Sequence, residues 1–502
     1  MTIRRLFLLF FSSFSVFLIF ISCSNLSEEK GTYLVFAQNS RAAEKEVSNL
    51  TSITLHGNSS DEKLSCTWKT WSEVVSSKIE LSAGDWEFTL AAKLDSDTYS
   101  ATTTAKIKAG KENVVSFSLK KMDSDSDATS LITLSPGGED TPDSFDSISE
   151  AVKAMTDSDT DYTIYISGIF TGCQKIEFTD SVNAKSITLQ GLDSAVLDGN
   201  SEGTTLTIST TVPVTLKNLT ITGGKNEDAE TGYGGGIFTA EGTSVKLADG
   251  TLVAGNSAYE GAGVYTNGKL FMYGTAVIGD SSKTEAATES SCANLAVNAG
   301  GGICISSSGM LYMGYSDEET PSELSGGVYY NAKDCGISAG GNVYMNSGFI
   351  AYNYGKGVSI WGGATVELSG GAIIGNYNPN AGGGVRLGYN SKLNFSGGTI
   401  SGNTATYGGG IALDNNGIVV TMTGGSISGN TATEAGGGVS CGNASTSKFK
   451  MTGGSIIGNT APSEKGANLY KKGATISVMG TDSNGTSVNI SDTTDADIVL
   501  VN

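Results

Sequence analysis

The stretch that decides the fold is Gly382-Gly-Gly-Val-Arg-Leu-Gly388, then Lys392-Leu-Asn-Phe-Ser-Gly-Gly398, then Thr399-Ile-Ser-Gly-Asn403-Thr-Ala405, because it comes back twice. It returns as Gly408-Gly-Gly-Ile411, Val419-Val-Thr-Met-Thr-Gly-Gly425 and Ser426-Ile-Ser-Gly-Asn430-Thr-Ala432. It returns again as Gly436-Gly-Gly-Val439, Lys448-Phe-Lys-Met-Thr-Gly-Gly454 and Ser455-Ile-Ile-Gly-Asn459-Thr-Ala461. Working outward, the third glycine of each triplet stands at Gly236, Gly263, Gly302, Gly357, Gly384, Gly410 and Gly438, in steps of 27, 39, 55, 27, 26 and 28. The step of 55 reads as two turns whose middle marker has drifted, and the step of 39 holds an insertion around Ser281 to Asn298. Self-similarity at a fixed short period is the signature of a solenoid.

Each repeat contains three short runs of alternating apolar and polar residues, with none of the 3.6-residue periodicity that leucine-rich or helical repeats require. This predicts one β-coil per repeat, a parallel β-helix, with roughly a dozen coils stacked at about 4.8 Å. Leu393 and Phe395 point inward over Val420 and Met422, and these over Phe449 and Met451. Such coils bury their apolar columns only against their neighbours, so the ends need caps. Asn376, Asn403, Asn430 and Asn459 step by 27, 27 and 29 before a turn and are expected to hydrogen-bond from coil to coil. The glycine triplets are expected to supply the positive φ of a sharp corner. Both features read as architectural.

The composition agrees with an ordered all-β chain: 68 of 502 residues are glycine, yet only six are proline and only 16% are charged, which separates it from collagen and from disordered chains. A formal charge of −20 argues against nucleic acid as a partner. The single histidine, His56, removes Ser/His/Asp, Cys/His and zincin chemistry from the whole repeat. No cofactor or metal is expected. Cys66, Cys173, Cys292, Cys304, Cys335 and Cys441 form no Cys-x-x-Cys pair; most read as small apolar fillers, with one disulfide among Cys292, Cys304 and Cys335 left open.

Residues 1–22 read as an export signal, with Arg4 and Arg5 ahead of the apolar run Leu6 to Ile21. Sixteen residues make a helix of about 24 Å, short of the roughly 30 Å of a hydrocarbon core. Phe20-Ile21-Ser22-Cys23 resembles a bacterial lipobox of the relaxed spirochaetal kind, which implies lipidation of Cys23 and a lipid anchor to the membrane, with 23–31 as a polar tether. Residues 32–121 carry about seven short alternating strands, the pattern of a small β-sandwich, in which Trp86, Phe88 and Leu90 share a face and Trp68 and Trp71 read as core. Residues 122–135 are a linker whose Asp-x-Asp-x-Asp run lacks the glycine and distal glutamate of an EF-hand. Within 136–160 lies the one helix, capped by Asp146 or Ser147, with Phe145, Ile148, Ala151, Val152 and Met155 on one side. Residues 161–502 form the β-helix. A short helix plugging a first coil resembles the start of pectin-lyase-like right-handed β-helices.

Ile400-Ser-Gly-Asn-Thr-Ala-Thr-Tyr-Gly-Gly-Gly-Ile411 and its successor are similar to the Phe-x-x-Asn…Gly-Gly-Ala-Ile repeats of the chlamydial polymorphic outer membrane protein family, over roughly 230 to 470. Isoleucine stands for the family's phenylalanine and glycine for its alanine. The resemblance implies surface location and adhesion, with an extracellular protein or glycan as ligand. The family's terminal membrane barrel has no counterpart in Ser487-Val-Asn-Ile-Ser491 to Ile498-Val-Leu-Val-Asn502, so the lipid at Cys23 would serve as anchor.

Two other functions compete with a binding surface. A glycan lyase or hydrolase would need clustered carboxylates on one outward face. The outward column after the triplets instead reads Phe238, Tyr265, Cys304, Ser359, Arg386, Ala412, Ser440 and Tyr470, and no catalytic residue is assigned. Arg386, the only arginine after Arg41, reads as solvent-facing, and Asp157-Ser-Asp-Thr-Asp161 as an acidic turn. A purely structural envelope role is the other competitor. Segments 281–298 and 316–342, which depart from the repeat, are the expected contact sites.

Overall fold

The computed structural model describes residues 144–501 except 178–183, 289 and 443–444, the strand Leu131–Pro136, and, before it, 16–24, 32–37, 51–59, 63–70, 73, 79–81, 84–94, 97–107 and 113–122. The chain divides into two compact units, Met1–Thr129 and Ser130–Asn502.

In the first unit eight strands pair antiparallel in the order Lys63–Thr70, Thr51–Asn58, Gly84–Leu94, Asp97–Ile107, Asn113–Met122, Val16–Ser24, Thr32–Ala37, Ile79–Leu81. Trp86 and Phe88 are buried and stack with ring centroids 5.5 Å apart, as the alternation of that run requires. Val16–Ser24, which takes in the second half of the apolar run read as an export signal, lies between Asn113–Met122 and Thr32–Ala37, with Cys23 opposite Asn113 and Leu34. Its run of Val, Ile and Phe suits a pleated strand as well as an apolar helix. Residues 1–15, most of the tether, Trp71, and the side chains of Cys66 and Trp68 lie outside the described residues.

The second unit is a parallel β-solenoid of about 11 turns. One coil shows the plan: Val385–Leu387, Lys392–Phe395 and Thr399–Ser401 each join a different parallel sheet, and Thr404–Tyr407 adds a short fourth ladder before Ile411 begins the next coil. The sheet that starts each coil has eleven strands, from Gln174–Glu177 to Leu469–Lys471. Leu393, Val420, Phe449 and Ile476 fall in one register column, and Phe395, Met422, Met451 and Val478 in another. These columns and Ile400, Ile427 and Ile456 merge into one continuous buried core.

Both ends of the core are closed. At the start, the helix Ile148–Lys153 buries Ile148, Ala151 and Val152 against it. Ser147 caps the helix by accepting a hydrogen bond from the Glu150 backbone N–H at 3.2 Å, and the Glu150 carboxylate accepts from the Asp146 N–H, one residue before the cap, at 3.1 Å. Phe145 precedes the helix, in a two-residue strand. Leu131–Pro136, inside the stretch read as linker, is a strand running antiparallel to Asp161–Thr171, so this unit begins near Ser130. At the far end Ser487–Ile490 and Ile498–Leu500 fold back antiparallel on the last coils.

Candidate functional site

The residues that hold the coils in place come first, because they define which side chains are left over. Asn376, Asn403, Asn430 and Asn459 stack as a ladder, each donating from Nδ2 to the Oδ1 of the asparagine in the next coil: 2.9 Å from Asn376 to Asn403, from Asn403 to Asn430 and from Asn430 to Asn459. The second Nδ2 hydrogen goes to a carbonyl of the third sheet, as from Asn403 to Ile373 O at 2.9 Å. Each Oδ1 also accepts the backbone N–H of the preceding asparagine, so all four hydrogen-bonding positions of the amide are used inside a dry corner. The ladder reaches beyond these four, starting at Asn256 and passing through Asn294, Asn331 and Asn353, and ending on Asn468, whose amide is held by Asp497 Oδ1 and Asp495 O, both at 3.0 Å. Asn256 and Asn294 stand seven and eight residues before Gly263 and Gly302, the spacing of Asn403 and Asn430 from their glycines, so the sequence carried that signal. Asn331 and Asn353 lie on compressed coils and break it.

The glycines require a correction. Positive φ belongs to the first glycine of the triplets, Gly234, Gly261, Gly300, Gly382, Gly408 and Gly436, and not to the third. Gly236, Gly263, Gly302, Gly357, Gly384, Gly410 and Gly438 are needed for lack of room: a Cβ on Gly384 would lie 2.7 Å from Gly410 O, 2.8 Å from Ile400 Cγ2 and 3.0 Å from Asn403 Nδ2. The third glycine is thus the seat of the asparagine ladder.

The drifted marker in the step of 55 is Gly336, bonded from Gly302 N–H and to Lys356 O. Coil lengths vary widely while register survives, from 21 residues between Ile337 and Val358 to 39 between Val264 and Ile303. The two departures are narrower than expected. Leu295–Ala299 pairs parallel with Ser257–Glu260 across one bulge and Asn294 is in the ladder, so the first excursion is 281–293. In the second, Gly327–Tyr329 and Ile337–Ala339 are regular strands, and the excursion centres on the small hairpin closed by the Tyr315–Pro321 bridge.

Both excursions lie back on aromatic side chains. The Ala287 N–H donates to Tyr352 O at 2.7 Å, the Ser291 and Tyr330 hydroxyls are 2.8 Å apart, and Lys283 Nζ lies 5.6 Å from the Tyr330 ring centre. Tyr330 and Tyr352 have φ of 54° and 57° at the corner position where the regular coils use Gly375, Gly402, Gly429 and Gly458. A bulky residue there costs about 1–2 kcal/mol, so packing against the excursion must compensate. Ser290, Ser291 and Cys292 with Ser201, Lys225 and Asn256 border an open groove of about 390 Å³. The second excursion covers an outward ladder of rings: Phe271, Tyr312 and Tyr344 stack at 4.7 Å intervals, and Glu318 pairs with Lys269 and accepts from the Tyr312 hydroxyl at 3.4 Å. Burial and the nearby Glu318 charge push the Tyr312 hydroxyl up to about 12.

The outward column of the eleven-stranded sheet runs Phe238, Tyr265, Cys304, Ser338, Ser359, Arg386, Ala412, Ser440 and Tyr470 in register. Tyr265 packs tilted against Tyr233 at 4.6 Å and parallel to Phe238 at 6.0 Å between ring centroids. Charged groups beside it are matched: Glu260 accepts from Asn298 Nδ2 at 2.8 Å, buried Lys356 pairs with Asp334, and Arg386 Nε lies 3.6 Å from Asp414 Oδ2. Asp414 stands just beyond the column and was missed in the sequence because the turn residue after an inward leucine carries no periodic mark. Desolvation raises its carboxyl above the usual range against the lowering pull of Arg386. Cys173, Cys292, Cys304, Cys335 and Cys441 are thiols, not half-cystines. Burial raises the Cys304 and Cys335 thiols, and that of Cys441 to about 12. At the acidic turn, Asp157 accepts from the Asp159 N–H at 2.9 Å and the Thr160 hydroxyl at 2.7 Å, so its carboxylate closes its own loop. Among the described residues no group of three or more His, Cys, Asp or Glu side chains could hold a metal ion. No family model matches the chain, and neither a curated protein nor a solved structure shows significant similarity to it.

Proposed function

We propose that this chain is an exported cell-envelope lipoprotein, anchored through Cys23, whose β-helix displays a binding surface for an extracellular protein or glycan, in the manner of the adhesive chlamydial repeats it resembles. One observation carries the reading. In the regular coils the outward positions of the second strand are small and polar, such as Asn394, Ser396 and Thr421, as a solvated sheet face needs. In and beside the irregular coils they become aromatic: Phe238, Tyr265 and Tyr344 are half-buried rings on the outer face, while Phe271 and Tyr312 lie buried beneath the hairpin. Outward rings add nothing to the solenoid's core, and aromatic side chains are the residues that binding surfaces concentrate. The pairing of Glu260, Asp334 and Asp414 with Asn298, Lys356 and Arg386 favours binding over acid–base catalysis, since each carboxylate already holds a partner.

Processing before Cys23 would remove most of the strand Val16–Ser24 from the first unit, leaving Thr32–Ala37 and Asn113–Met122 without their shared neighbour. Two measurements test the proposal. Mass spectrometry of the protein from cells should find an acylated N-terminal peptide starting at Cys23, lost in Cys23→Ala. Protease treatment of intact cells should remove the β-helix, and cells displaying it should bind matrix protein or glycan that cells lacking it do not. A protein retaining residues 1–22, shielded in intact cells, refutes the reading.

A further inference from the structure

We propose that the edge of the eleven-stranded sheet at Trp361, Gly388 and Asp414 is a subsite for a neutral glycan lying along the axis of the β-helix. This names the ligand class for the binding-surface reading and rests on that reading. Ile360, Leu387 and Leu413 are in register, so the residues that follow them, Trp361, Gly388 and Asp414, stand level on three successive coils, with Gly340 before them and Gly442 after. The column is therefore Gly, Trp, Gly, Asp, Gly, in which a large ring and a carboxylate are separated by bare backbone.

Trp361 is laid down and pinned. Its Nε1 donates to Ser338 Oγ at 3.0 Å, and a Cβ on Gly340 would lie 2.7 and 2.8 Å from two indole carbons, so the ring rests on the glycine backbone of the preceding coil. Even so, Trp361 is 44% exposed. An indole ring tied down at its Nε1 and nearly half exposed can act as a platform for the C–H face of a pyranose, and its fixed position lowers the ordering cost of binding. One coil further, Gly388 floors a notch between Trp361 and Asp414. Two coil spacings, about 9.6 Å, separate those two positions, room for one sugar ring. Tyr389, 63% exposed, stands next to the notch, and Arg386 lies on the same strand with guanidinium N–H groups beyond the Nε that faces Asp414. A carboxylate and a guanidinium side by side offer both acceptors and donors to vicinal hydroxyls.

The repeat of the solenoid suits the repeat of the ligand, because sugar units in an extended glycan follow one another at nearly the interval of the coils. Charge selects its kind: Arg386 and Asp414 cancel locally, and a chain of net charge −20 repels a polyanion. A protein partner would need aromatic anchors seated in pockets at the centre of a broad patch, whereas these rings lie on a row only a few residues wide.

The test is calorimetry and intrinsic fluorescence on the full chain with neutral hexasaccharides of glucose, mannose and xylose, and a hexagalacturonate for comparison. A neutral hexasaccharide is expected to bind with quenching of tryptophan fluorescence. Trp361→Ala should weaken it at least tenfold and Tyr389→Ala severalfold, with circular dichroism and melting unchanged; Tyr389→Ala, at an open turn, keeps the test valid if Trp361→Ala fails to fold. Equal binding by wild type and Tyr389→Ala with Trp361→Phe also unchanged overturns the subsite, as does preference for the galacturonate. Binding to a matrix protein with none to any hexasaccharide overturns it while leaving the display function standing, and binding to nothing sinks both.

Discussion

Replacing Asn403 by alanine removes four hydrogen bonds at once from the centre of the β-helix. Asn403 Oδ1 accepts from Asn376 N at 3.0 Å and Nδ2 at 2.9 Å, and its Nδ2 donates to Ile373 O and Asn430 Oδ1, each at 2.9 Å. Asn430 Oδ1 keeps the backbone N–H of residue 403, so two buried donors of Asn376 are orphaned and the Ile373 carbonyl, in a paired strand, loses one of its partners. An orphaned buried polar group costs about 1–3 kcal/mol. A water entering the vacated space could satisfy part of this, since the site would offer it three polar partners, which brings the expected loss to about 3–5 kcal/mol. The control is Asn394→Ala, a half-buried amide on the outer face with one bond, to Glu367 at 2.7 Å, expected to cost below about 1 kcal/mol. Urea unfolding followed by circular dichroism reads both. Because coils stabilise only their neighbours, the Asn403 variant should also lose cooperativity, with a smaller slope or a second transition. Asn403→Asp adds a sign: a carboxylate facing two acceptors has its pKa raised in the folded state, so its penalty is slight below about pH 4, the unfolded value, and grows as pH rises through the folded one. Midpoints for Asn403→Ala and Asn394→Ala that fall together would refute the ladder as a source of stability.

Three other outcomes follow from the same geometry. Gly384→Ala should destabilise by about 2 kcal/mol or more, the range of overpacking a tight site, whereas Gly429→Ala, at φ of 62° with open space around its Cβ, should cost about 1 kcal/mol and be largely rescued by asparagine; equal losses would contradict the division of roles among the glycines. Iodoacetamide at pH 8 should leave Cys304, Cys335 and Cys441 unmodified in the folded chain, because burial holds all three as protonated thiols, and modify them in urea; rapid labelling of Cys441 without denaturant contradicts its place in the core. Arg386→Gln should raise the Asp414 pKa further, since Arg386 is what opposes desolvation there. With a folded value above the unfolded one, the variant loses stability as pH rises between them, and a carboxyl carbon titration that moves downward on substitution rejects the pair.

The coils were legible because their requirements repeat. Leu393, Val420 and Phe449 announce a core column by alternation alone, and the asparagines at 403, 430 and 459 announce a corner by recurring at one spacing. What does not repeat was not legible. Lys356 sits in the middle of a glycine triplet, and Asp334-Cys335-Gly336 stands where a regular triplet belongs, so periodicity placed a coil there without finding its marker or the ion pair beside it. Trp361 lies in a turn, where neither burial nor alternation marks it. The glycine triplets show a subtler limit: a conserved-looking spacing of identical residues concealed two different physical reasons, left-handed backbone at Gly382 and absence of room at Gly384.

That separation of roles explains how coils of 21 and 39 residues coexist in one rod. Register is held at two places, the asparagine corner and the glycine seat against it, which stand four to eight residues apart in the coils from Asn353 to Gly438. The remaining arc is held only by sheet pairing and core packing, and a chain that leaves it and returns in register pays little, since loop closure costs grow only as the logarithm of length. Residues 281–293 return to the coil at Asn294, on the ladder itself, whereas the hairpin at Tyr315–Pro321 lies between Met310–Met313 and Gly327–Tyr329, on the arc away from it. Binding residues can therefore be added on that hairpin and on the turn that carries Trp361 and Tyr389 without disturbing the ladder, whereas a change at the corner propagates to its neighbours. Variation confined to the hairpin should alter ligand choice and leave unfolding midpoints in place, and a hairpin deletion that shifts the midpoint as far as Asn403→Ala would show that the two are not separable.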